Sequence, residues 1–95
     1  MSVDAYRQKA EAKIEEQTAK LNQARAKAKG ASADVRLDAE KKISELEARI
    51  DAAKKKLGEL GDTAEDAWED FTKGLDDAWD DISGGIKNVL ARFKS

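Results

Sequence analysis

Apolar residues recur every three or four positions over residues 1–60. This spacing places them along one side of an α-helix and predicts an amphipathic, coiled-coil-type helix. The stripe has one gap, between Ile14 and Leu21, where Gln17 occupies the same side of the helix. The first half is rich in alanine, so we expect the second half, with its larger apolar side chains, to bury more area. Those larger residues are Ile43, Leu46, Ile50 and Leu57.

A glycine within KGASADV offers a place where this helix could break. Gly30 has a low helix propensity, and Ser32 or Asp34 could cap a new helix. The apolar spacing nevertheless stays in phase from Ala28 to Val35. The unbroken phase favours a continuous helix, and a break within residues 30–34 is the alternative.

A second glycine-rich stretch, KLGELGDTAED, predicts a turn. Gly58 and Gly61 weaken the helix, and Asp62 or Thr63 can cap the one that follows. Acidic residues come next, where they favour the positive end of a helix dipole. We therefore expect the chain to reverse here and a second element to occupy residues 61–95.

The last third of the chain repeats every eleven residues, as AEDAWEDFTKG, LDDAWDDISGG and the slightly shorter IKNVLARFKS. Each unit carries apolar residues at its first, fourth, fifth and eighth positions. At about 3.67 residues per turn, this hendecad repeat forms one nearly straight stripe about 100° wide. We predict that its large side chains are packing or interaction residues rather than catalytic ones. They are Trp68, Phe71, Leu75, Trp79, Ile82, Ile86, Leu90 and Phe93.

These elements predict an all-α fold with one structural domain. The favoured architecture is an elongated antiparallel helical hairpin, or coiled coil, in which the shorter amphipathic helix 61–95 returns along the long helix 1–60. In that register, Trp79 lies near Ile43, and acidic residues of the returning helix lie beside Lys54, Lys55 and Lys56.

The hairpin leaves about the first 25 residues of the long helix uncovered, because the returning helix is shorter. Their thin apolar stripe is too weak to stand alone, so it would fray, pair with another copy, or break near Gly30 and return as a third helix. Self-association through residues 1–30 is therefore expected for the hairpin. A three-helix bundle broken near Gly30 is the alternative fold.

The composition removes most catalytic chemistry. The chain has no cysteine and no histidine, so it lacks a thiolate nucleophile, an imidazole base and the usual zinc ligands. Its carboxylates follow a straight helix rather than a calcium-binding loop. We predict no enzyme activity, catalytic residues, cofactor, metal or small-molecule substrate. The N-terminal segment resembles no signal peptide, and no stretch has the roughly 18 apolar residues of a membrane span, so we expect a cytoplasmic protein.

Charge is distributed unevenly along the chain. The net charge is -2, yet residues 1–61 carry 14 basic and 11 acidic side chains, whereas residues 62–95 carry 4 basic and 9 acidic ones. The two segments should therefore attract each other. Because the basic residues are interleaved with acidic ones, the pattern argues against nucleic-acid binding.

Several stretches together resemble a family of small bacterial coiled-coil proteins, found in cyanobacteria and proteobacteria and often labelled stress-response proteins. They are MSVDAYRQKAEAKIEE, KISELEARIDAAKKKLGEL, the doubled DAWEDFTKGLDDAWDDI and ARFKS. The resemblance depends mainly on the Ala-Trp pairs at 67–68 and 78–79 and the closing Arg92 and Phe93. It implies a non-enzymatic helical protein associated with stress. The eleven-residue period is also similar, in pattern only, to exchangeable apolipoproteins and desiccation-linked helical proteins.

Two functions are compatible with these features. The first is a non-catalytic helical interaction protein with a role in bacterial stress tolerance, whose partner is a second copy or another protein. The alternative is peripheral binding to a lipid surface through the amphipathic helix 63–95. The acidic polar face over residues 65–81 disfavours the alternative, because anionic lipids would repel it.

Overall fold

The computed structural model describes residues 2–61 and 64–93. These residues form three α-helices, α1 (Val3–Lys29), α2 (Ala33–Leu60) and α3 (Glu65–Ala91). Each helix packs against the other two in a bundle that measures 49 × 20 × 16 Å. The prediction of an all-α fold is confirmed.

The long helix predicted over residues 1–60 is interrupted at Gly30, so the two-helix hairpin is wrong and the three-helix bundle is the observed fold. α1 ends at Gly30, whose N–H donates to the carbonyl of Lys27 at 3.2 Å. Ser32 then adopts an extended backbone, with φ -62° and ψ 158°, as the N-cap of α2. The spacing of the apolar residues gave no sign of this break. Two antiparallel helices that share a core both direct their apolar stripes toward that core, so the spacing can stay in phase from one helix to the next.

Burial of the α1 stripe explains why the chain turns back. Ile14 and Leu21 are buried in the bundle, and each contributes about 1.5–3 kcal/mol relative to exposure. In a continuous helix both would lack a covering partner. Interrupting the helix at Gly30 costs little helix stability, since glycine inside a helix is already about 1 kcal/mol less favourable than alanine.

The second turn forms at the predicted place. Gly61 has φ 48° and ψ -123°, a backbone conformation that favours glycine because it lacks a Cβ. Its carbonyl accepts a hydrogen bond of 2.9 Å from Nη2 of Arg7, which joins the start of α1 to this turn. The N-cap position of α3 is Ala64, and the predicted caps Asp62 and Thr63 lie outside the described residues.

The register of α2 against α3 differs from the predicted one. Gly85 lies against Leu46, and Nη1 of Arg92 lies 3.7 Å from a carboxylate oxygen of Asp38. These neighbours shift α3 by about ten residues, or about 15 Å, from the register that paired Trp79 with Ile43. Part of the shift follows from α2 continuing to Leu60 before the chain reverses.

One hydrophobic core runs through the bundle and receives its largest contribution from α3. α1 contributes mainly alanines, which allow the helices to approach closely. The buried residues of α3 in this core are Leu75, Trp79, Ile82, Ile86 and Val89.

Adjacent glycines in α3 provide a matched test of this packing. A Cβ on Gly85 would lie 2.8 Å from Cδ2 of the buried Leu46, whereas a Cβ on Gly84 has no such neighbour within 4 Å. Gly84→Ala should stabilise the bundle by about 0.5–1 kcal/mol through helix propensity. Gly85→Ala should be about 1–3 kcal/mol less stable than Gly84→Ala because it overpacks the core.

Urea unfolding followed by circular dichroism measures both variants. Equal stabilities would show that Leu46 moves aside without cost and that the close approach of α2 and α3 does not set the register.

Candidate interaction surfaces

The predicted packing residues between positions 68 and 93 divide into buried and half-buried groups. Phe71, Leu90 and Phe93 are half-buried and pack against the edge of the core. The others are fully enclosed, including both tryptophans, of which Trp68 is 0% and Trp79 3% exposed. The enclosed residues are Trp68, Leu75, Trp79, Ile82 and Ile86.

Trp68 closes one end of the bundle. Its ring meets that of Phe71 edge to face, with centroids 6.1 Å apart. The guanidinium carbon of Arg7 lies 5.4 Å from the centroid of the Trp68 ring, a cation–π geometry. Since Arg7 also donates to Gly61, one side chain connects α1, the α2–α3 turn and the start of α3.

Both indole N–H groups are unusual in their burial. Nε1 of Trp68 and Nε1 of Trp79 are buried without a hydrogen-bond partner in the part of the chain that the structure describes. An unpaired buried donor costs about 1–3 kcal/mol. The packing of α3 therefore buries the apolar surface of both tryptophans but provides no described hydrogen-bond acceptor for their N–H groups.

A polar contact inside the bundle sets α1 against α3. Nε2 of Gln17 donates to Oγ of Ser83 at 2.9 Å, and Gln17 is buried. A polar pair with one buried member favours one alignment of two helices, since a slip would leave the amide of Gln17 unpaired inside the bundle. The gap in the apolar stripe marked Gln17 in the sequence, but its partner on α3 depended on the tertiary fold.

An open apolar groove lies between α2 and α3 and has a volume of about 600 Å³. We call it the α2/α3 groove. Small residues form much of its lining, and the half-buried ring of Phe71 lies at one end. Sequence reasoning missed it because the incorrect register placed other residues opposite one another. Its small lining residues are Ala52, Ala53, Gly74 and Ala78.

The chemistry available on the remaining surface is limited. Within residues 2–61 and 64–93, no cluster of three or more acidic side chains is arranged to hold a metal ion. None of the helices in those ranges is long and apolar enough to cross a bilayer. Over those ranges the bundle offers helix faces, exposed charges and apolar grooves, of which the α2/α3 groove is larger than the one between α1 and α2.

Tyr6 is the one described residue with a clearly shifted ionisation. Desolvation of its half-buried phenol raises the pKa above the ordinary value of 10.0, and the carboxylates of Glu69 and Glu65 raise it further. The ammonium group of Lys73 lowers the pKa of Tyr6; its Nζ lies 3.2 Å from Oε1 of Glu69. The phenol thus reports on the packing of α1 against α3.

Comparison with protein-family models, with curated proteins and with solved structures finds no significant match for this chain.

Substitutions at Trp79 test the unpaired indole. Trp79→Ala should lower the free energy of unfolding by about 3–5 kcal/mol because it leaves a cavity. Trp79→Phe should cost about 1 kcal/mol or less, because removing a buried unpaired N–H offsets part of the lost ring contact. Urea unfolding followed by circular dichroism separates the two outcomes, and equally large losses would indicate that the N–H is satisfied in solution.

The pKa of Tyr6 provides a second test. Glu69→Gln should lower this pKa toward 10 because it removes a neighbouring negative charge. An ultraviolet titration measures it directly, since the chain has a single tyrosine. Asp76→Asn is the control that removes an exposed carboxylate from α3 without acting on the phenol.

Folding raises the pKa of Tyr6, so the neutral phenol contributes to the stability of the folded protein below about pH 10. That contribution is lost as the pH rises through the pKa of Tyr6 in the folded protein. An unchanged pKa in Glu69→Gln would show that α1 and α3 do not meet at this point.

Proposed function

We propose that this chain is a non-catalytic helical interaction protein that self-associates and acts in bacterial stress tolerance in the cytoplasm. The observation that carries the interaction role is the α2/α3 groove, an apolar surface left open beside a filled core. The stress role is supported only by the resemblance of the Ala-Trp repeat and its flanking segments to stress-response coiled-coil proteins.

Small residues make the groove suitable for a helix. Ala52, Gly74 and Ala78 are exposed along its walls, and helices approach to about 8–10 Å where such residues meet. Apolar side chains of a docked helix would remove the groove and Phe71 from water. Protein interaction is therefore a better use of this surface than reaction chemistry, since the chain supplies neither histidine nor cysteine.

The reason for expecting self-association through residues 1–30 changes with the fold. That expectation rested on an uncovered α1 stripe, and Ala10, Ile14 and Leu21 are buried instead. Self-association remains part of the proposal, but it would use an outer surface of the bundle. The α2/α3 groove is the surface best suited to it.

A photo-reactive amino acid tests groove docking in the cells that produce the protein. Introduced at Ala78 in the groove, it should form adducts with helical peptides, identified by mass spectrometry, and these should increase under stress. Ala48 is exposed on α2 but does not line the groove, so the same group there is the control. No adduct at position 78, or equal adducts at both positions, would reject groove docking.

Lipid binding through residues 63–95 is the second candidate, and the unpaired indoles favour it. A membrane interface accepts the apolar body of tryptophan and also hydrogen-bonds its N–H, whereas no group within residues 2–61 and 64–93 accepts from the N–H of Trp68 or Trp79. This function requires α3 to leave the bundle, because its apolar stripe is buried there.

Quenching of tryptophan fluorescence by brominated acyl chains distinguishes the two functions. We expect zwitterionic and anionic vesicles to leave the emission unquenched, because burial of Trp68 and Trp79 opposes their release. Trp68→Phe and Trp79→Phe each leave one tryptophan as a reporter. Strong quenching of the remaining tryptophan in either variant would show that α3 contacts the lipid and would support the lipid function instead.

A further inference from the structure

We infer that the α2/α3 groove is a self-complementary interface, which binds the same groove of a second copy across a two-fold axis parallel to the helices. This inference rests on the docking function proposed for the groove and names its partner. Three features of the groove support it: the charges on the two rims, the levels at which those charges lie, and the small residues between them.

The two rims carry opposite charge. Arg49 and Lys56 line the groove from α2, and Asp70 and Asp81 line it from α3. All four side chains belong to exposed residues. None has an oppositely charged partner within 4.0 Å on the portions of the chain that are described.

At two other places, opposite charges do pair across a helix interface. Arg25 pairs with Glu47 between α1 and α2, and Arg92 pairs with Asp38 between α2 and α3. The predicted attraction between the acidic α3 and the lysines of α2 is not realised as an ion pair along the groove. The small residues leave a space between the rims, and both rims remain open to a partner.

The observed register brings the rim charges to matching levels. Gly85 lies beside Leu46, and α2 and α3 are antiparallel, so Asp81 lies near the level of Arg49. By the same count, Asp70 lies about five residues, or roughly 7.5 Å, from the level of Lys56. Arg49 thus has an acidic residue near its own height on the opposite rim, and Lys56 has one within about one and a half turns.

A two-fold axis along the groove converts this arrangement into complementarity between copies. The rotation keeps every residue at its height and exchanges the two rims, so α2 of one copy lies on α3 of the other. Arg49 then faces Asp81 of the second copy, Lys56 faces Asp70, and symmetry repeats both pairs. A two-fold axis across the groove would instead stack like-charged rims, which costs free energy.

The charge pattern also argues for a second copy over another partner. A purely acidic or purely basic helix would be attracted to one rim and repelled by the other. A matching surface must carry both signs in the reverse order, and an identical groove does so. The small walls of both copies would allow the four helices to pack closely.

The groove reaches from Asp70 to Ile82 along α3, a length of about 18 Å. An interface of this length belongs to the small, transient class rather than the obligate one. We therefore expect the dimer to form at high protein concentration and to weaken as salt screens the rim charges.

Sedimentation velocity over a concentration series tests this interface through charge reversal. Asp70→Lys/Asp81→Lys makes both rims basic, and Arg49→Glu/Lys56→Glu makes both acidic. Each double variant alone should dimerise at least about tenfold more weakly than the wild type. An equimolar mixture of the two should dimerise again, and so should the chain that carries all four substitutions.

Asp76→Lys/Asp80→Lys is the matched control, because it makes the same change in net charge on exposed residues of α3 outside the groove. It should dimerise like the wild type. Circular dichroism shows whether each variant is folded, and Asp70→Asn/Asp81→Asn replaces the lysine variant if that one unfolds; it should weaken the dimer to a smaller extent.

Two results would overturn the inference. A wild-type chain that stays monomeric throughout the series would exclude the second copy, although adducts at position 78 to another protein would still support groove docking. A wild-type dimer that tolerates both charge reversals would place the contact on a different face.

Discussion

Burial of the apolar stripe of α3 is the interaction on which the bundle depends. α1 presents mainly alanines to the core, and α2 adds Ile43, Leu46 and Ile50. α3 fills the space between them with Trp79, Ile82, Ile86 and Val89, all of them buried. Each large side chain removed from water stabilises the fold by about 1.5–3 kcal/mol. Both of the other helices pack against this one.

Specific contacts then determine how the three helices align. Nonpolar burial has little directional preference, and an eleven-residue stripe could slide along its partners at modest cost. The hydrogen bond from Gln17 to Ser83 and the fit of Gly85 against Leu46 each favour one alignment. At one end, Arg7 contacts both the ring of Trp68 and the carbonyl of Gly61. Together these contacts account for a single register among several that the apolar pattern permits.

The two tryptophans and the acidic residues around them therefore have separate roles. The indole rings are interior groups whose N–H donors find no acceptor among the described residues. The rim carboxylates Asp70 and Asp81 are exposed, and no basic side chain in that same part of the chain lies within 4.0 Å of them. The first feature lowers the cost of moving α3 elsewhere, and the second provides a charge pattern that another surface can match. The unpaired indoles favour lipid binding, and the rim charges favour binding of a second copy. Each proposed function would thus complete an interaction that the single bundle does not make.

Local pattern was sufficient to predict the helical class, the turn after Leu60 and the apolar stripe of α3, because each follows from the spacing and backbone preference of nearby residues. It favoured a continuous helix through Gly30 and misplaced Trp79 against α2. Those features depend on which distant surfaces compete to cover one another: α1 turned back because Ile14 and Leu21 had no other partner, and α3 shifted where Gly85 admitted Leu46. The α2/α3 groove and the opposite charges on its rims exist only in that register, so the tertiary structure alone decided them.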